Sequence, residues 1–321
     1  MKKEIIISAA ILGIIGCSTA GMLFLPKNAV DDEVFAEVAV NETQEEIVIP
    51  TVDADNKQIK RELSTPVSAD NAAKADVWHM MLNSIDYYNN VSGTIVYSHG
   101  NADDVYLVDF QCDIPDSAAY SSCYLYSAGD AERIDPDELR NTESISNITN
   151  YCGDGHNIMI LSDRTYREMD YAIIKPEDAL PIADEDRVTV EADGNPGFHY
   201  RADPTNIDSS SMCIFPQVFA MGFLYDTDLW EINGIVDYNG HECWQISGCT
   251  SPEYGAKLNV EEFDFLVDTK TGVLMKYEGR DKEGNLTDYM YSDNIKFGKD
   301  AESVKRFHRE MLRGYRENNL S

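Results

Sequence analysis

Glu262-Phe263-Asp264-Phe265-Leu266-Val267-Asp268-Thr269-Lys270-Thr271-Gly272-Val273-Leu274-Met275-Lys276-Tyr277-Glu278 reads as two strands and the turn between them. Phe263, Phe265 and Val267 share one parity. Val273, Met275 and Tyr277 share another on the partner strand, and Asp268 to Gly272 supply the turn. Period two with a tight turn means an antiparallel pair with one buried face. The pattern extends both ways. Glu231 to Asp237 leads through Tyr238-Asn239-Gly240-His241, an Asn-Gly signal for a type I′ hairpin, into Glu242 to Ser247. On the other side Asp281-Lys282-Glu283-Gly284 turns the chain into Thr287 to Phe297. There Tyr289, Tyr291, Ile295 and Phe297 are expected to line one row, with Asp293 breaking it.

Upstream, Val77, Met81, Ile85 and Tyr88 recur at four, four and three. That spacing predicts a helix from about Asn71 to Tyr88 with Asp70 as N-cap. Strands are expected over 94–99, 104–112, 122–127, 147–152, 157–161 and 165–172. Residues 175–211 contain Pro176, Pro181, Pro196 and Pro204 and read as loop. Phe215 to Leu224 reads as a short apolar helix starting at Pro216. Ala301 to Asn318 reads as an amphipathic terminal helix, with Val304, Phe307, Met311 and Tyr315 on one stripe. Its bases, Lys305, Arg306, Arg309, Arg313 and Arg316, either form a solvated face or meet anionic headgroups or the acidic domain. The fold class is α+β.

From Ile5 to Leu25 there are 21 residues without a charge, preceded by Lys2 and Lys3 and followed by the acidic Asp31-Asp32-Glu33. About 20 apolar residues suffice to span a bilayer, and the positive-inside rule then leaves the bulk of the chain outside the cytoplasm. Three readings compete. One is an uncleaved signal-anchor. Another is a lipoprotein signal in which Ile14-Ile15-Gly16-Cys17 resembles a lipobox with Cys17 lipidated. The third is ordinary cleavage. Residues 31–70 hold eleven acids and three bases, with Phe35 the single aromatic. Such a segment cannot offset its ordering entropy and reads as a self-repelling tether.

Roughly 230 to 250 residues remain for one large domain or two small ones. A hydrophobic content of 43% supports a real core, and a net charge of −31 argues against a nucleic-acid partner. Apart from Cys17 there are Cys112, Cys123, Cys152, Cys213, Cys243 and Cys249. No spacing among them is C-x-x-C, and an even number outside the cytoplasm permits disulfides.

Several of these stretches together resemble a family. They are Gly153-Asp154-Gly155-His156-Asn157-Ile158 running to Asp163-Arg164-Thr165-Tyr166, then Tyr238-Asn239-Gly240-His241-Glu242-Cys243-Trp244. Phe265-Leu266-Val267-Asp268 with Thr271-Gly272, and Tyr277-Glu278-Gly279-Arg280-Asp281 with Gly284, complete the set. The order resembles the LolA, LolB and RseB superfamily over about Ala72 to Gly298. The resemblance implies a strongly curved, open antiparallel sheet, a half-barrel, with helices plugging its concave side. It implies binding rather than catalysis: members hold acyl chains, or sense envelope lipids or lipoproteins and restrain an anti-sigma factor. No family residue transfers by motif, and the arginine that locks the LolA lid has no motif match on this chain. The acidic meander and the anchor depart from a soluble shuttle and fit a tethered sensor, receptor or surface binder. The expected organisation is an anchor or signal over 1–26, an acidic linker over 27–70, an extracytoplasmic LolA/RseB-like domain over 71–298, and the terminal amphipathic helix over 299–321.

Chemical motifs are sparse. G-x-S-x-G, H-E-x-x-H, the P-loop and G-x-G-x-x-G are all missing from the sequence. His241, Cys243 and Cys249 are candidate zinc ligands; the plain alternative is a turn histidine with two core or disulfide-bonded cysteines. No catalytic residue, cofactor or metal site is assigned. Phe215, Phe219, Met221, Leu224, Trp230 and Trp244 are the candidates for lining an apolar ligand cavity, and the same residue types equally fill a core. The expectation is a membrane-anchored, extracytoplasmic, non-enzymatic protein that binds a lipid, a lipoprotein or an envelope protein such as an anti-sigma factor. The alternatives are a cell-envelope hydrolase using carboxylates or a metal, and a structural surface protein.

Overall fold

The computed structural model describes residues 70–99, 104–127, 135–153, 156–162, 164–169, 173–191, 196–207 and 209–318. The chain divides into two units, Met1–Arg61 and Glu62–Ser321, and every described residue belongs to the second. The apolar run from Ile5 to Leu25, Cys17 and the acidic segment ahead of Asp70 lie outside the described residues. Among the described residues no helix is long and apolar enough to cross a membrane.

Helix α1 (Asp70–Leu82) carries the expected stripe. Val77 and Met81 are fully buried, and Ile85 and Tyr88 continue the buried line past its end. It stops at Leu82 rather than Tyr88 because Asn83 leaves helical geometry (φ −128°, ψ 25°). The Asn83 amide then donates to the His79 carbonyl at 3.0 Å, the local competition with helix that asparagine favours. A 3₁₀ turn, Ser84–Asp86, follows.

The period-two segments form two meanders. The first comprises β1 (Asn90–Ser98), β2 (Asp104–Asp113), β3 (Ala118–Ser127), β4 (Ser146–Gly153), β5 (His156–Ser162) and β6 (Thr165–Met169). A separate small hairpin pairs β7 (Val188–Val190) with β8 (Pro196–Phe198) inside the region expected to be loop. The second meander comprises β9 (Trp230–Tyr238), β10 (His241–Cys249), β11 (Glu262–Asp268), β12 (Leu274–Arg280) and β13 (Leu286–Phe297). Antiparallel pairing of β1 with β13 joins the two, and β14 (Arg316–Glu317) adds parallel to β6. The result is one open sheet of 12 strands, in the order β14-β6-β5-β4-β3-β2-β1-β13-β12-β11-β10-β9. Register shifts interrupt five of the pairings, and each such bulge bends its strand, which curves the sheet. Asn239 and Gly240 take φ of 52° and 84°, the two positive values a type I′ turn needs.

The row expected along β13 does not run straight. Tyr289 and Tyr291 lie opposite Ser98 and Val96 on the outer face, whereas Ile295 and Phe297 belong to the inner core. The slip sits at Asn294 (φ 52°), where the β1 register jumps between Ser92 and Thr94. One extra residue reverses the parity of everything after it.

The inner face carries the main core, covered by α1 and by the segment α3 (Ser211–Ile214), α4 (Gln217–Phe219) and the π-turn Ala220–Leu224. On the outer face, α2 (Pro136–Arg140) sets Leu139 over Val96, Val105, Leu107 and Tyr126. Helix α5 (Pro252–Leu258) lies between β10 and β11; Ser251 caps it by accepting from the Tyr254 amide, and Pro252 opens it. Both α2 and α5 begin with a cap residue followed by proline, a start signal that the sequence reading passed over.

Among the described residues, the terminal helix expected over 301–318 does not form. Residues 301–308 run extended across the outer face, and Arg309–Leu312 makes a single 3₁₀ turn before β14. The path follows one register row, Ser92, Gln111, Tyr120, Tyr151 and Met159, from strand to neighbouring strand. Ser92 accepts from the Glu302 amide at 2.9 Å, Gln111 accepts from the Lys305 amide at 2.8 Å, and Lys305 Nζ stands 4.5 Å from the Tyr120 ring centroid. Of the expected stripe only Phe307 is buried, against Met159 and Leu161. Polar and aromatic partners on this row satisfy an extended backbone, and those tertiary contacts override the helical period.

Candidate functional site

The inner face of the second meander is an aromatic floor. Phe263, Phe265 and Tyr277 are buried on β11 and β12, with Phe265 opposite Tyr277 in the ladder. Phe223, from the π-turn, is the hub above them. Its ring centroid lies 5.0 Å from Phe263, 5.2 Å from Phe265, 5.4 Å from Tyr277 and 5.1 Å from Tyr254, all edge-on. Phe219 stacks on Phe223 and meets Tyr277 at 5.0 Å. Edge-to-face contacts at these distances each add about 0.5–1.5 kcal/mol beyond area burial. The π-turn seats Gly222 against Tyr254 so closely that a Cβ there would fall 2.1 Å from the Tyr254 Cζ.

All six residues expected to line a cavity converge on this layer and belong to one core cluster. Phe215, Met221, Leu224, Trp230 and Trp244 are buried, and Phe219 is partly buried. They pack against the floor and one another. A cleft of about 250 Å³ exists beside α5, lined by Thr250, Gly255, Asn259, Glu261, Asp281 and Lys282 among others, and none of the six lines it. Phe263, Phe265 and Tyr277 were expected on the buried face of the strand pair but not among the lining residues, and Phe223 was not singled out, although it stands four residues after Phe219, the spacing of one helix face.

Residues 211–224 form a plug between floor and α1, and polar bonds tie it down. Ser84 Oγ and Tyr88 Oη both donate to the Ile214 carbonyl, at 2.7 and 2.6 Å. Gln217 exchanges two bonds with Arg201: its Oε1 accepts from the Arg201 amide at 2.9 Å, and its Nε2 donates to the Arg201 carbonyl at 2.8 Å. Arg201 then forks onto Asp86 at 2.7 and 2.9 Å and donates through Nε to the Ala179 carbonyl at 2.7 Å. Arg187 is wholly buried and donates to the Leu82 carbonyl, Asn83 Oδ1 and Gln217 Oε1. Burial, then the neighbouring Arg201 charge, lowers its pKa to about 10. Close by, Asp184 is bound to His79 at 2.7 Å. Two arginines from the proline-rich region therefore clasp the end of α1 and the plug together. Sequence offered no sign of this, because the bonded partners lie about a hundred residues apart.

The candidate zinc ligands are not assembled. His241 is held by Asp268 at 3.0 Å and by the Ile295 carbonyl at 3.1 Å. Cys243 is buried beside it. Cys249 is exposed at the far end of β10, about 20 Å away at the usual strand rise. Among the described residues no group of three or more His, Cys, Asp or Glu side chains could hold a metal ion. The six described cysteines stand as separate thiols, and burial pushes those of Cys123 and Cys243 up to about 12, out of nucleophile range.

No family model matches the sequence, and no curated protein matches it. Among solved structures the chain is similar to MucB in the MucA/MucB complex of Pseudomonas aeruginosa. The identity is 14% and the TM-score 0.35, over 74% of this chain and 60% of that one. It is similar to LprF from Mycobacterium bovis, at 10% identity and TM-score 0.36, over 73% and 100%. A putative outer membrane lipoprotein-sorting protein domain from Vibrio parahaemolyticus follows at 8% and 0.24, over 72% and 93%. The chain spans about three fifths of the length of MucB.

Proposed function

We propose that the chain is a membrane-held, extracytoplasmic binding protein whose curved sheet takes the apolar part of a lipid or lipoprotein. The plug over 211–224 moves off the aromatic floor to admit it. The anchor is the segment Ile5 to Leu25 or a lipid on Cys17, and the acidic stretch 27–70 spaces the domain from the bilayer. One observation carries the reading. Among the described residues, no main-chain bond pairs the plug with a strand: its Ile214 and Leu224 carbonyls accept from the side chains of Ser84, Tyr88 and Trp230, and Gln217 reaches the Arg201 main chain through its side chain. The plug is therefore held by ring packing and a few directional side-chain bonds, which can break without unzipping a strand. An acyl chain in its place would meet Phe263, Phe265 and Tyr277, the apolar lining such ligands require.

The test is lipid extraction and mass spectrometry of the full chain purified from membranes, with binding of a fluorescent fatty acid alongside. A bound acyl species is expected, and Gln217→Leu, which loosens the clasp, should speed fatty-acid uptake. If neither wild type nor Gln217→Leu carries an acyl species or binds the fatty acid, the reading is refuted.

A further inference from the structure

Four of the large apolar side chains most exposed to solvent fall in one short stretch: Leu180, Val190, Tyr200 and Val218. Three of them are chain neighbours of the residues that Arg201 ties together. Leu180 follows Ala179, Tyr200 precedes Arg201, and Val218 follows Gln217. Val190 sits at the tip of the β7–β8 hairpin, whose base is closed by the His199 amide donating to the Arg187 carbonyl. The bonds that fasten the clasp thus hold the chain positions next to Leu180, Tyr200 and Val218 close to one another.

Charge around them is sorted. Described residues of 173–207 hold seven acids and three bases. Two of the bases, Arg187 and Arg201, are turned inward and buried. The third, Lys175, lies 4.0 Å from Glu177. Glu177, Asp178, Glu185, Asp186 and Glu191 remain on the exterior. Burying both arginines leaves these exposed apolar side chains in a region whose exterior carries a net excess of carboxylates.

We infer that this surface docks a polypeptide segment of a partner protein that presents basic and apolar side chains together. Exposed apolar groups of this kind mark interaction sites, and complementary charge sets which partner is admitted. An anionic lipid surface is repelled by the same carboxylates, and so is a second copy of this face. The inference concerns the outside of the clasp and stands independently of acyl binding on the floor beneath.

The test is fluorescence anisotropy of the full chain with three short labelled peptides: alternating Lys and Leu, alternating Lys and Ser, and alternating Glu and Leu. The Lys/Leu peptide is expected to bind and to weaken with salt. The other two should bind at least about tenfold more weakly. Two variants probe the two halves of the surface, Leu180→Ser with Val190→Ser, and Glu185→Gln with Asp186→Asn. Each is expected to weaken the Lys/Leu peptide by about tenfold while leaving bound acyl species unchanged. All four positions are exposed or flank exposed residues, so a melt matching wild type is the folding control. Wild-type affinity in both variants overturns the inference. So does equal binding of the Lys/Ser peptide, or capture of phosphatidylglycerol vesicles that these substitutions abolish.

Discussion

Replacing Asp86 by alanine tests the clasp most directly. In the native chain the Asp86 carboxylate takes both prongs of Arg201 at 2.7 and 2.9 Å, with side-chain exposures of 18% and 6%. Asp86→Ala leaves Arg201 and the wholly buried Arg187 side by side without a directly bonded carboxylate. Removing one partner of a buried pair costs about 3–5 kcal/mol; the partial exposure of Asp86 puts the expectation near the lower end. Arg201→Met removes the other partner. It leaves a carboxylate that water can reach, so about 2–3 kcal/mol is expected. With both substitutions no charge is stranded, and the double variant should lose only about 3–4 kcal/mol, well below the sum of the singles. The coupling of about 2 kcal/mol lies within the range for directly bonded residues. Urea unfolding followed by tryptophan fluorescence measures it, because Trp78, Trp230 and Trp244 all pack in or against the main core. Strict additivity, or a loss under about 1 kcal/mol for Asp86→Ala, would falsify the role given to the clasp.

Three further outcomes follow from other contacts. The Asp268 bond raises the His241 pKa, so its contribution is full below about pH 6.5 and fades as pH rises through the folded value. Burial opposes ionisation of Asp268, yet bonds from His241 and Thr271 hold its pKa down, so its share is lost in acid. The stability difference between wild type and His241→Gln should therefore peak between about pH 4 and 6.5 and shrink toward pH 8; a flat difference in urea titrations would contradict this. Gly272→Ala should lose more than about 2 kcal/mol, since φ is 71° and a Cβ would lie 2.2 Å from the Met80 carbonyl oxygen; an unchanged melting temperature would count against the close approach. Truncation before Arg309 removes β14 and bares the β6 edge. Self-association by sedimentation velocity is expected, and a strictly monomeric truncation would remove the edge-covering role.

Local chemistry made much of the sheet legible. Asn239-Gly240 and Asp268 to Gly272 specify their turns through backbone conformations and side-chain bonds that neighbouring residues supply. The alternation on β11 survives because Phe263, Phe265 and Val267 all face one core. What escaped was set from a distance. Asn294 shifts register to suit β1, where a Cβ on Gly93 would fall 2.4 Å from Ile295 Cδ1. Val304, Phe307, Met311 and Tyr315 have helical spacing, yet the row from Ser92 to Met159 draws the backbone straight. The site divides the same way. Apolar residues of 215–230 were recognisable as a cluster, but whether they fill space or enclose it depends on Phe263, Phe265 and Tyr277 arriving from other strands. Arg187 and Arg201 were hidden in a region that proline content marks as loop.

The inward turn of those two arginines links the interior to the surface. While the clasp is closed, both guanidinium groups are spent on Leu82, Asn83, Asp86 and Ala179 inside, and the exterior of 173–207 stays acidic. Opening it far enough to free the plug breaks the Gln217 bonds, one of them to the Arg187 guanidinium, and an opening that carried both arginines along would bring them toward solvent beside Glu185, Asp186 and Glu191. Two added positive charges would cancel part of the field that selects a basic partner. Filling of the floor and docking on the surface would then disfavour each other, and by linkage the coupling would be reciprocal. Gln217→Leu should accordingly weaken the Lys/Leu peptide while speeding fatty-acid uptake, and saturating fatty acid should weaken that peptide in wild type. If fatty acid binds and the peptide binds, yet neither alters the affinity for the other, the plug opens without moving Arg187 or Arg201, and the clasp is only a brace.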